Sequence, residues 1–348
     1  MNKDSNNTNF VLLAGCARSG TVLLKTLLNS HMNVAFPLDT LVIPLFSPFS
    51  FLWGDLKKGK NMKALISSLI EFLKIWFLYG LRVKNPQEIF EMSIIPELKR
   101  LKESSAFGIS SFPELTNEVY SSFSARLGGG ASGEHTTTVP VVNEWEENMH
   151  GMKVIHLIRD GRDISLSWMK QWFGPSTVVE VALRWKKHIK VYREWGKMNP
   201  DKYIEVYYED LVMDTEKEVK RLSEFLGIEL VRKDFVLDGK LVKMHAKQGY
   251  HTLIDGPIVK NNFNKWVKEM SDVNQELFEL CAGDTLKECN YNIPSRSKSL
   301  SRSLLIRVLL VFEYAKRFFS IKFHRYWIRS LMPLVIWISQ KLNIRISS

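Results

Sequence analysis

The chain has 348 residues, of which 45% are hydrophobic, enough to bury the core of one large α/β domain or of two smaller ones. Its three cysteines, Cys16, Cys281 and Cys289, lack the spacing of a metal site or a disulfide framework, so we expect a reducing compartment. The net charge of +11 is concentrated in residues 296–348, which hold eleven Lys and Arg against one acid, Glu313. The preceding residues carry only +1, which gives no electrostatic reason to expect nucleic-acid binding.

Three apolar runs predict buried parallel strands, at Phe10 to Ala14, Lys153 to Ile158 and Tyr203 to Tyr208. Helical patterns separate them, which is typical of a doubly wound sheet. We therefore predict an α/β fold with a parallel sheet like that of P-loop NTPases, flanked by helices. The later helices are expected at Asp163 to Trp172, Val178 to Met198, the segment between an N-cap at Asp214 and a stop at Gly227, and about Ser271 to Leu286.

The first predicted strand runs into a turn of small residues, "GCARSGT", followed by a leucine-rich helix. Backbone N–H groups at a helix N-terminus, together with the helix dipole, form a cradle for a phosphate-like anion. Gly15 and Gly20 have the spacing of a P-loop, but Thr21 stands where that loop carries Lys. Arg18, inside the loop, can instead present a fixed fork of donors to a terminal anionic group.

A second motif, "KVIHLIRDGRDISLSW", follows the next strand. Arg159 stands at the C-terminal end of a central strand, where open α/β sheets bind ligands, and Ser167 lies about two helical turns later. An Arg and a Ser so placed can clamp a second, separate phosphate. The alternative is that Arg159, Asp160, Arg162 and Asp163 form a solvated cluster of ion pairs that caps a helix.

Together, "GCARSGTVLL" and "IRDGRDISLS" resemble the PAPS-dependent sulfotransferases, in particular the branch of bacterial and protein-tyrosine sulfotransferases, in discrete blocks from Phe10 to Ile293. The resemblance implies that the first loop holds the phosphosulfate of 3′-phosphoadenylyl sulfate (PAPS), and that Arg159 and Ser167 hold its 3′-phosphate. It also implies that Tyr208, in "YYEDLV", and Lys265, in a late "KW", lie near the nucleotide. The loop residues that match are Arg18, Ser19, Gly20, Thr21 and Val22.

The resemblance also implies a catalytic set. An acidic residue of the family, the base for the acceptor hydroxyl, matches Asp39 in "HMNVAFPLDTLVIP", although Asp39 can also be explained as a helix N-cap. A family lysine that supports the leaving group is replaced by His135 in "GEHTTTVP", which can also be explained as a loop residue. Arg18 completes the set. Because sulfuryl transfer needs positioning and cations, and no metal cluster is visible, no metal is expected.

If an imidazolium at His135 assists, activity should decline as pH rises through the pKa of that ring. A His135→Lys substitution should flatten the decline.

We expect residues 1–295 to form the sulfotransferase domain, with an acceptor-side helical region at 41–130. Residues 296–348 form a basic tail that interleaves Arg and Lys with Leu, Phe and Trp, which favours helices lying on an anionic membrane. The alternative is an amphipathic helix pair packed on the domain or on a partner chain.

Because the N-terminus is polar and has no apolar signal region, we expect a cytoplasmic enzyme on the inner face of the membrane.

The resulting hypothesis is a transfer of the sulfuryl group of PAPS to a hydroxyl of a glycan or glycolipid, with release of the desulfated product PAP. A tyrosyl protein is the alternative acceptor. Two other classes compete: a P-loop kinase or NTPase, which the missing loop lysine disfavours, and a non-catalytic peripheral membrane scaffold.

Overall fold

The computed structural model describes residues 10–38, 40–80, 86–104, 108–137, 142–171, 174–231, 258–294, 307–308, 310–312 and 336–337. Within them lies a five-stranded sheet with the order β2-β3-β1-β4-β5, in which every neighbouring pair is parallel. The parallel arrangement brings the C-terminal ends of all strands to one edge. The strands are β1 (Phe10–Gly15), β2 (Val34–Ala35), β3 (Ala131–Thr136), β4 (Met152–Ile158) and β5 (Tyr203–Tyr207).

Helices cover both faces of this sheet, and short 3-10 or π turns occur at Ser47–Trp53, Trp76–Gly80 and Pro200–Lys202. The α-helices are α1 (Thr21–Met32), α2 (Val42–Phe46), α3 (Gly59–Ile75), α4 (Pro86–Glu91), α5 (Ile95–Glu103), α6 (Phe112–Arg126), α7 (Val142–Asn148), α8 (Gly161–Trp168), α9 (Val178–Met198), α10 (Tyr208–Met213), α11 (Thr215–Leu226), α12 (Trp266–Glu269) and α13 (Asp272–Glu288).

The central strand β1 is buried on both faces, as its uninterrupted apolar run predicted. Phe10, Leu12 and Ala14 pack into one core together with residues of helices α2 to α7. Val11 and Leu13 pack into another core with α1 and α11. Because successive side chains of a strand point to opposite faces, β1 divides these two layers of helices.

The predicted α/β fold is confirmed, with small differences at element ends. Tyr208 begins α10 rather than ending β5. Helix α8 begins at Gly161 because the carboxylate of Asp160, rather than that of Asp163, accepts the capping hydrogen bond from the amide of Arg162. The helix ends at Trp168, four residues before the predicted end at Trp172, which itself lies outside the described residues. The predicted bounds of α9 are correct, and the Asp214 cap and the left-handed Gly227 stop are present.

Strand β3 is an element that the sequence did not reveal. Its residues, "ASGEHT", are mostly polar, yet all six are buried between β1 and β2. Buried polar groups need partners, and here they have them: the carboxylate of Glu134 accepts hydrogen bonds from the hydroxyls of Tyr120 and Thr40. The strand is therefore stabilised by contacts that come from distant parts of the chain.

Residues 42–126 are largely helical where described. Most of the basic tail lies outside the described residues. The indole of Trp337 donates a hydrogen bond over 2.7 Å to the backbone carbonyl of Leu52, and Ile336 is fully buried in the core of this region. This part of the tail thus packs on the domain. Among the described residues, no helix has both the length and the apolar character needed to cross a bilayer.

Candidate active site

A cavity of about 330 Å³ opens at the C-terminal edge of the sheet, where β1, β4 and β5 end. Open α/β sheets bind their ligands at this edge, and the volume lies in the range of small-molecule sites. Its lining includes residues from both sequence motifs and from the late "KW" segment. Those predicted as nucleotide-binding are Arg18, Gly20, Thr21, Val22, Arg159, Ser167, Tyr208 and Lys265.

The loop between β1 and α1 is tightly constrained. Arg18 and Gly20 both adopt positive φ angles, of 73° and 99°. A Cβ atom added at Gly20 would lie 2.5 Å from a ring carbon of Tyr208, so both the backbone angle and the available space require glycine. The hydroxyl and the amide of Ser19 donate to the carbonyl of Cys16, which closes the turn. The loop therefore directs the N-terminus of α1, at Thr21, toward the cavity.

Arg159 follows β4 directly and is 8% exposed. Its Nη1 donates to the backbone carbonyl of Arg18 over 3.1 Å, and its Nη2 donates to that of Asn262 over 2.6 Å. The guanidinium carbon lies 4.1 Å from the ring centroid of Tyr208. The Nε of Arg159 is buried and has no hydrogen-bond partner within the described part of the chain. A buried donor of this kind suits an anionic ligand.

The two sequence motifs meet in one cavity. The Nε of Arg18 donates to the hydroxyl of Ser167 over 3.0 Å, although the two residues are 149 positions apart. The strand ends of β1 and β4 are neighbours, as expected, since Gly15 pairs with Leu157. We predicted two separate anionic pockets, and the structure shows instead a single continuous cavity that both arginines line.

A segment between Ile258 and Met270 forms one wall of the cavity. The side-chain amide of Asn262 donates to the hydroxyl of Tyr208 over 2.8 Å. The carboxylate of Asp163 accepts from the backbone amides of Asn264 and Trp266, over 2.7 and 2.9 Å. Burial raises the pKa of Asp163, and these two hydrogen bonds oppose the rise. Asp163 therefore holds the segment that carries Lys265.

The charged residues of "RDGRD" do not form a solvated cluster, so that alternative is wrong. Arg159, Asp160, Arg162 and Asp163 are all buried. Arg162 forms two hydrogen bonds with the carboxylate of Asp160, and its guanidinium carbon lies 3.5 Å from the ring centroid of Trp266. These contacts leave Arg159 as the arginine of the motif that faces the cavity.

The cavity has a positive balance of charge. Four cationic side chains and two carboxylates line it. The carboxylate of Asp163 accepts hydrogen bonds from backbone amides, and that of Glu269 lies 3.8 Å from the ammonium of Lys170. Burial raises the pKa of the loop thiol, Cys16, to about 12, so it stays protonated at neutral pH. The charged lining residues are Arg18, Arg159, Lys170, Lys265, Asp163 and Glu269.

Comparison with known proteins agrees with this geometry. A model described as "Sulfotransferase family" matches residues 144–232, which include Arg159, Ser167 and Tyr208. Sulfotransferase 2A1 of Rattus norvegicus is 34% identical over 98 residues, and sulfotransferase 2A2 of the same species is 32% identical over 99 residues. Over these segments the chain is similar to the sulfotransferase family. Each of these two matches covers 22% of the chain, which spans about a third of the length of these relatives (32%).

Solved sulfotransferase domains share the fold. The domain from the Synechococcus PCC 7002 olefin synthase superposes with a TM-score of 0.52 at 16% identity, covering 84% of this chain and 99% of that domain. The domain from the curacin biosynthetic pathway gives a TM-score of 0.50 at 14% identity, covering 82% and 99%. The likeness thus extends over the sulfotransferase fold, well beyond the segment that matches in sequence.

Of the predicted catalytic residues that the structure describes, Arg18 lines the cavity and His135 does not. Asp39 lies outside the described residues, but its neighbours Leu38 and Thr40 are both buried. His135 lies on β3, not in a loop, and its Nδ1 is 3.4 Å from the Nζ of Lys25. Ser19 does not line the cavity, and its hydroxyl stabilises the loop by donating to the carbonyl of Cys16.

Two residues escaped the sequence analysis, Asn262 in the wall of the cavity and Lys25 on α1. Asn262 belongs to "NNFNKW", so its proximity to the "KW" block was a signal, but nothing in the sequence joined it to Tyr208. Lys25 lies on a helix whose buried face was attributed to leucines alone, yet it is fully buried. In the described part of the chain, no three His, Cys, Asp or Glu side chains are grouped as metal ligands.

Proposed function

We propose that this protein is a PAPS-dependent sulfotransferase that transfers the sulfuryl group to a hydroxyl of its acceptor and releases PAP. The observation that carries the proposal is the meeting of Arg18 and Arg159 in one cavity at neighbouring strand ends, joined by the 3.1 Å hydrogen bond to the carbonyl of Arg18. The positive lining, the helix N-terminus and the buried Nε of Arg159 fit a ligand with several anionic groups.

In this mechanism, Arg18 and the amides of the loop hold the phosphosulfate, while Arg159 and Ser167 hold the 3′-phosphate. The acceptor oxygen attacks sulfur in line, the bond between sulfur and the bridging phosphate oxygen breaks, and its electron pair stays on the leaving phosphate. The positive groups of the loop stabilise that growing charge. Asp39 takes the proton of the acceptor hydroxyl.

Support for Asp39 comes from its neighbours. The hydroxyl of Thr40 donates to the carboxylate of Glu134 over 2.8 Å, and Leu38 packs into the core. A base must be held in position to act, and here the backbone is anchored on both sides of Asp39. A substitution of Asp39 by Asn should therefore lower kcat while leaving the affinity for PAP unchanged.

For the acceptor, we propose a glycan or a glycolipid, with a tyrosyl protein as the alternative. The proposal rests on the apolar, helical region at 41–130 beside the nucleotide fold, and on the basic tail. A membrane-proximal acceptor would suit both features.

We also propose that the protein rests on the inner face of an anionic membrane. Besides the charge of the tail, exposed side chains support this: Phe51 is 71% exposed, and Lys57, Lys58 and Lys60, six to nine residues later in the chain, are also exposed. The Trp337 contact with Leu52 brings the tail to the same place. Exposed aromatic and basic side chains together are typical of surfaces that bind anionic lipids.

The test is to incubate the protein with ³⁵S-labelled PAPS and a panel of glycolipids, glycans and tyrosyl peptides, and to identify the class that takes up label. Binding of PAP and of ATP with Mg²⁺ is measured in parallel by calorimetry. Uptake of label and tight PAP binding support the proposal. Tight ATP–Mg²⁺ binding without PAP binding would point to a P-loop kinase, and binding of neither nucleotide would point to a scaffold.

A further inference from the structure

An ion pair joins two walls of the cavity at its rim. The ammonium of Lys170 lies 3.8 Å from the carboxylate of Glu269, and both residues line the cavity. Lys170 follows the end of α8, whereas Glu269 ends α12 in the wall between Ile258 and Met270. Their side chains are 71% and 48% exposed, so the pair stands where the cavity meets the solvent.

The contact between these two groups is weak. A separation of 3.8 Å is longer than a hydrogen bond, and exposed ion pairs contribute little to stability. A lysine ammonium sits at the end of a flexible stem and has three rotatable donors. Lys170 can therefore move away from Glu269 at small cost, because water solvates the carboxylate that it leaves behind.

Lys170 lies next to the residue proposed to hold the 3′-phosphate. Ser167 belongs to the last turn of α8, and the amide of Gln171 donates to the carbonyl of Trp168 over 3.0 Å, which continues the helical turn past the end of that helix. Residues three and four positions apart on such a turn share a face. Ser167, Lys170 and Gln171 accordingly all line the cavity.

A 3′-phosphate brings more negative charge than Arg159 alone can balance. A phosphate monoester carries a charge of about −1.5 to −2 at neutral pH. Two donors of Arg159 are already used by the carbonyls of Arg18 and Asn262. The hydroxyl of Ser167 accepts from Arg18 and can donate its own proton to a phosphate oxygen, but it supplies no charge. A second cation beside Ser167 would supply it, and Lys170 is in that place.

We infer that Lys170 exchanges Glu269 for the 3′-phosphate when the nucleotide enters, and that this exchange sets the preference of the site for a 3′-phosphorylated donor. The inference rests on the proposed function. Before the nucleotide binds, Glu269 keeps the lysine at the rim. The phosphate, with its higher charge, then replaces the carboxylate as the partner of the ammonium.

The test compares PAP with adenosine 5′-monophosphate (AMP), which differs from PAP only by lacking the 3′-phosphate, in calorimetric titrations of the full chain. We expect PAP to bind the unsubstituted protein more tightly than AMP. Lys170→Met should lower the affinity for PAP about 5- to 10-fold and leave that for AMP within about twofold. An equal loss for both nucleotides, or no loss for PAP, would overturn the inference.

Glu269→Gln tests the exchange itself. Removal of the carboxylate charge releases Lys170, so the affinity for PAP should rise about two- to threefold while that for AMP stays the same. The rise should disappear when Glu269→Gln is combined with Lys170→Met, because the two residues then act through one contact. A rise that persists in the combined variant would show that Glu269 only repels the nucleotide, and would overturn the exchange.

A matched control is Lys268→Met, because Lys268 is an exposed lysine beside Glu269 that does not line the cavity. This variant should keep both affinities within about twofold. If the unsubstituted protein binds no PAP, the proposed function fails and the inference fails with it. Tight PAP binding with the same ratio of PAP to AMP affinity in Lys170→Met overturns the inference alone.

Discussion

The guanidinium of Arg159 donates a hydrogen bond to the backbone carbonyl of Arg18 over 3.1 Å, and so links the strand-end arginine to the loop between β1 and α1. The same guanidinium lies over the ring of Tyr208 and donates to the carbonyl of Asn262. Arg159 therefore connects three walls of the cavity while its Nε stays available. A substitution here should affect nucleotide binding through both charge and position.

Arg159→Ala should weaken PAP binding by about 1.5–3 kcal/mol, or about 10- to 150-fold, because a charge-assisted contact with phosphate is lost. Calorimetric titration with PAP measures the change. The matched control is Arg221→Ala: Arg221 is also an arginine that donates to a backbone carbonyl, that of Glu205, but it does not line the cavity. Equal affinities for PAP in Arg159→Ala and in the unsubstituted protein would contradict the proposed site.

Gly20→Ala should destabilise the loop. A methyl group at this position meets the ring of Tyr208 and must adopt a φ of +99°, so we expect a loss of about 2–4 kcal/mol in the free energy of unfolding. Chemical denaturation measures it. Gly59→Ala, at the start of α3, is the control because its Cβ meets nothing within 4 Å and its φ is not positive, and it should be neutral or slightly stabilising. A tolerated Gly20→Ala would show that the loop can move away from Tyr208.

Asp163→Asn should loosen the wall that carries Lys265. The asparagine side chain has one carbonyl oxygen, so it cannot accept from the amides of both Asn264 and Trp266 as the carboxylate does. We expect the KM for PAPS to rise about 10-fold with a smaller change in kcat. Steady-state kinetics checks this split, with the exposed Asp284→Asn as control. An unchanged KM would mean that other contacts suffice to hold the wall.

The raised pKa of Glu209 predicts that the stability of the protein depends on pH. Burial raises the pKa of this carboxyl to about 7, while its oxygens accept from the amide of Asp160 and the hydroxyl of Tyr291. Between pH ~4.5 and 7 the folded protein then binds more protons than the unfolded chain, so the contribution of Glu209 to stability falls as pH rises through this window.

Glu209→Gln removes the charge. Its oxygen can still accept from the amide of Asp160, and its NH2 can donate to the hydroxyl of Tyr291, which can act as an acceptor as well as a donor. This variant should therefore be more stable than the unsubstituted protein by about 1–3 kcal/mol at pH 8, with the difference vanishing below pH ~4.5. Denaturation curves at several pH values measure the difference. The exposed Glu224→Gln is the control and should stay within about 0.5 kcal/mol throughout. A Glu209→Gln difference that is constant with pH would refute the raised pKa.

Reversing the charges of Lys57, Lys58 and Lys60 to Glu should weaken binding to anionic vesicles by about 10-fold or more, since each basic side chain near such a surface contributes about 1 kcal/mol. Sedimentation with phosphatidylglycerol-containing vesicles, against pure phosphatidylcholine, measures it. The control reverses three exposed lysines of α9, Lys187, Lys190 and Lys197. Equal losses in both triple variants would indicate a response to net charge alone.

The strands at β1, β4 and β5 could be predicted because each is a short apolar run, and burial of apolar side chains is a local property of the sequence. The loop after β1 and the position of Arg159 after β4 could be predicted because both come directly after those strands. The polar strand β3 could not be predicted, because its stability depends on hydroxyls of Thr40 and Tyr120 that reach Glu134 from distant segments. The amino-acid composition of the β3 segment does not indicate that these partners exist.

The amino-acid sequence alone determined that the chain forms a parallel α/β sheet with a tight, glycine-containing loop between its first strand and first helix, since periodicity and glycine placement act over a few residues. Only the tertiary structure decided that Arg18, Ser167 and Arg159 share one cavity, that Asp163 holds the wall beside it, and that Lys25 lies against His135. Each of these contacts joins residues about a hundred or more positions apart. Their geometry is set by how the helices pack on the sheet, which is a property of the whole fold.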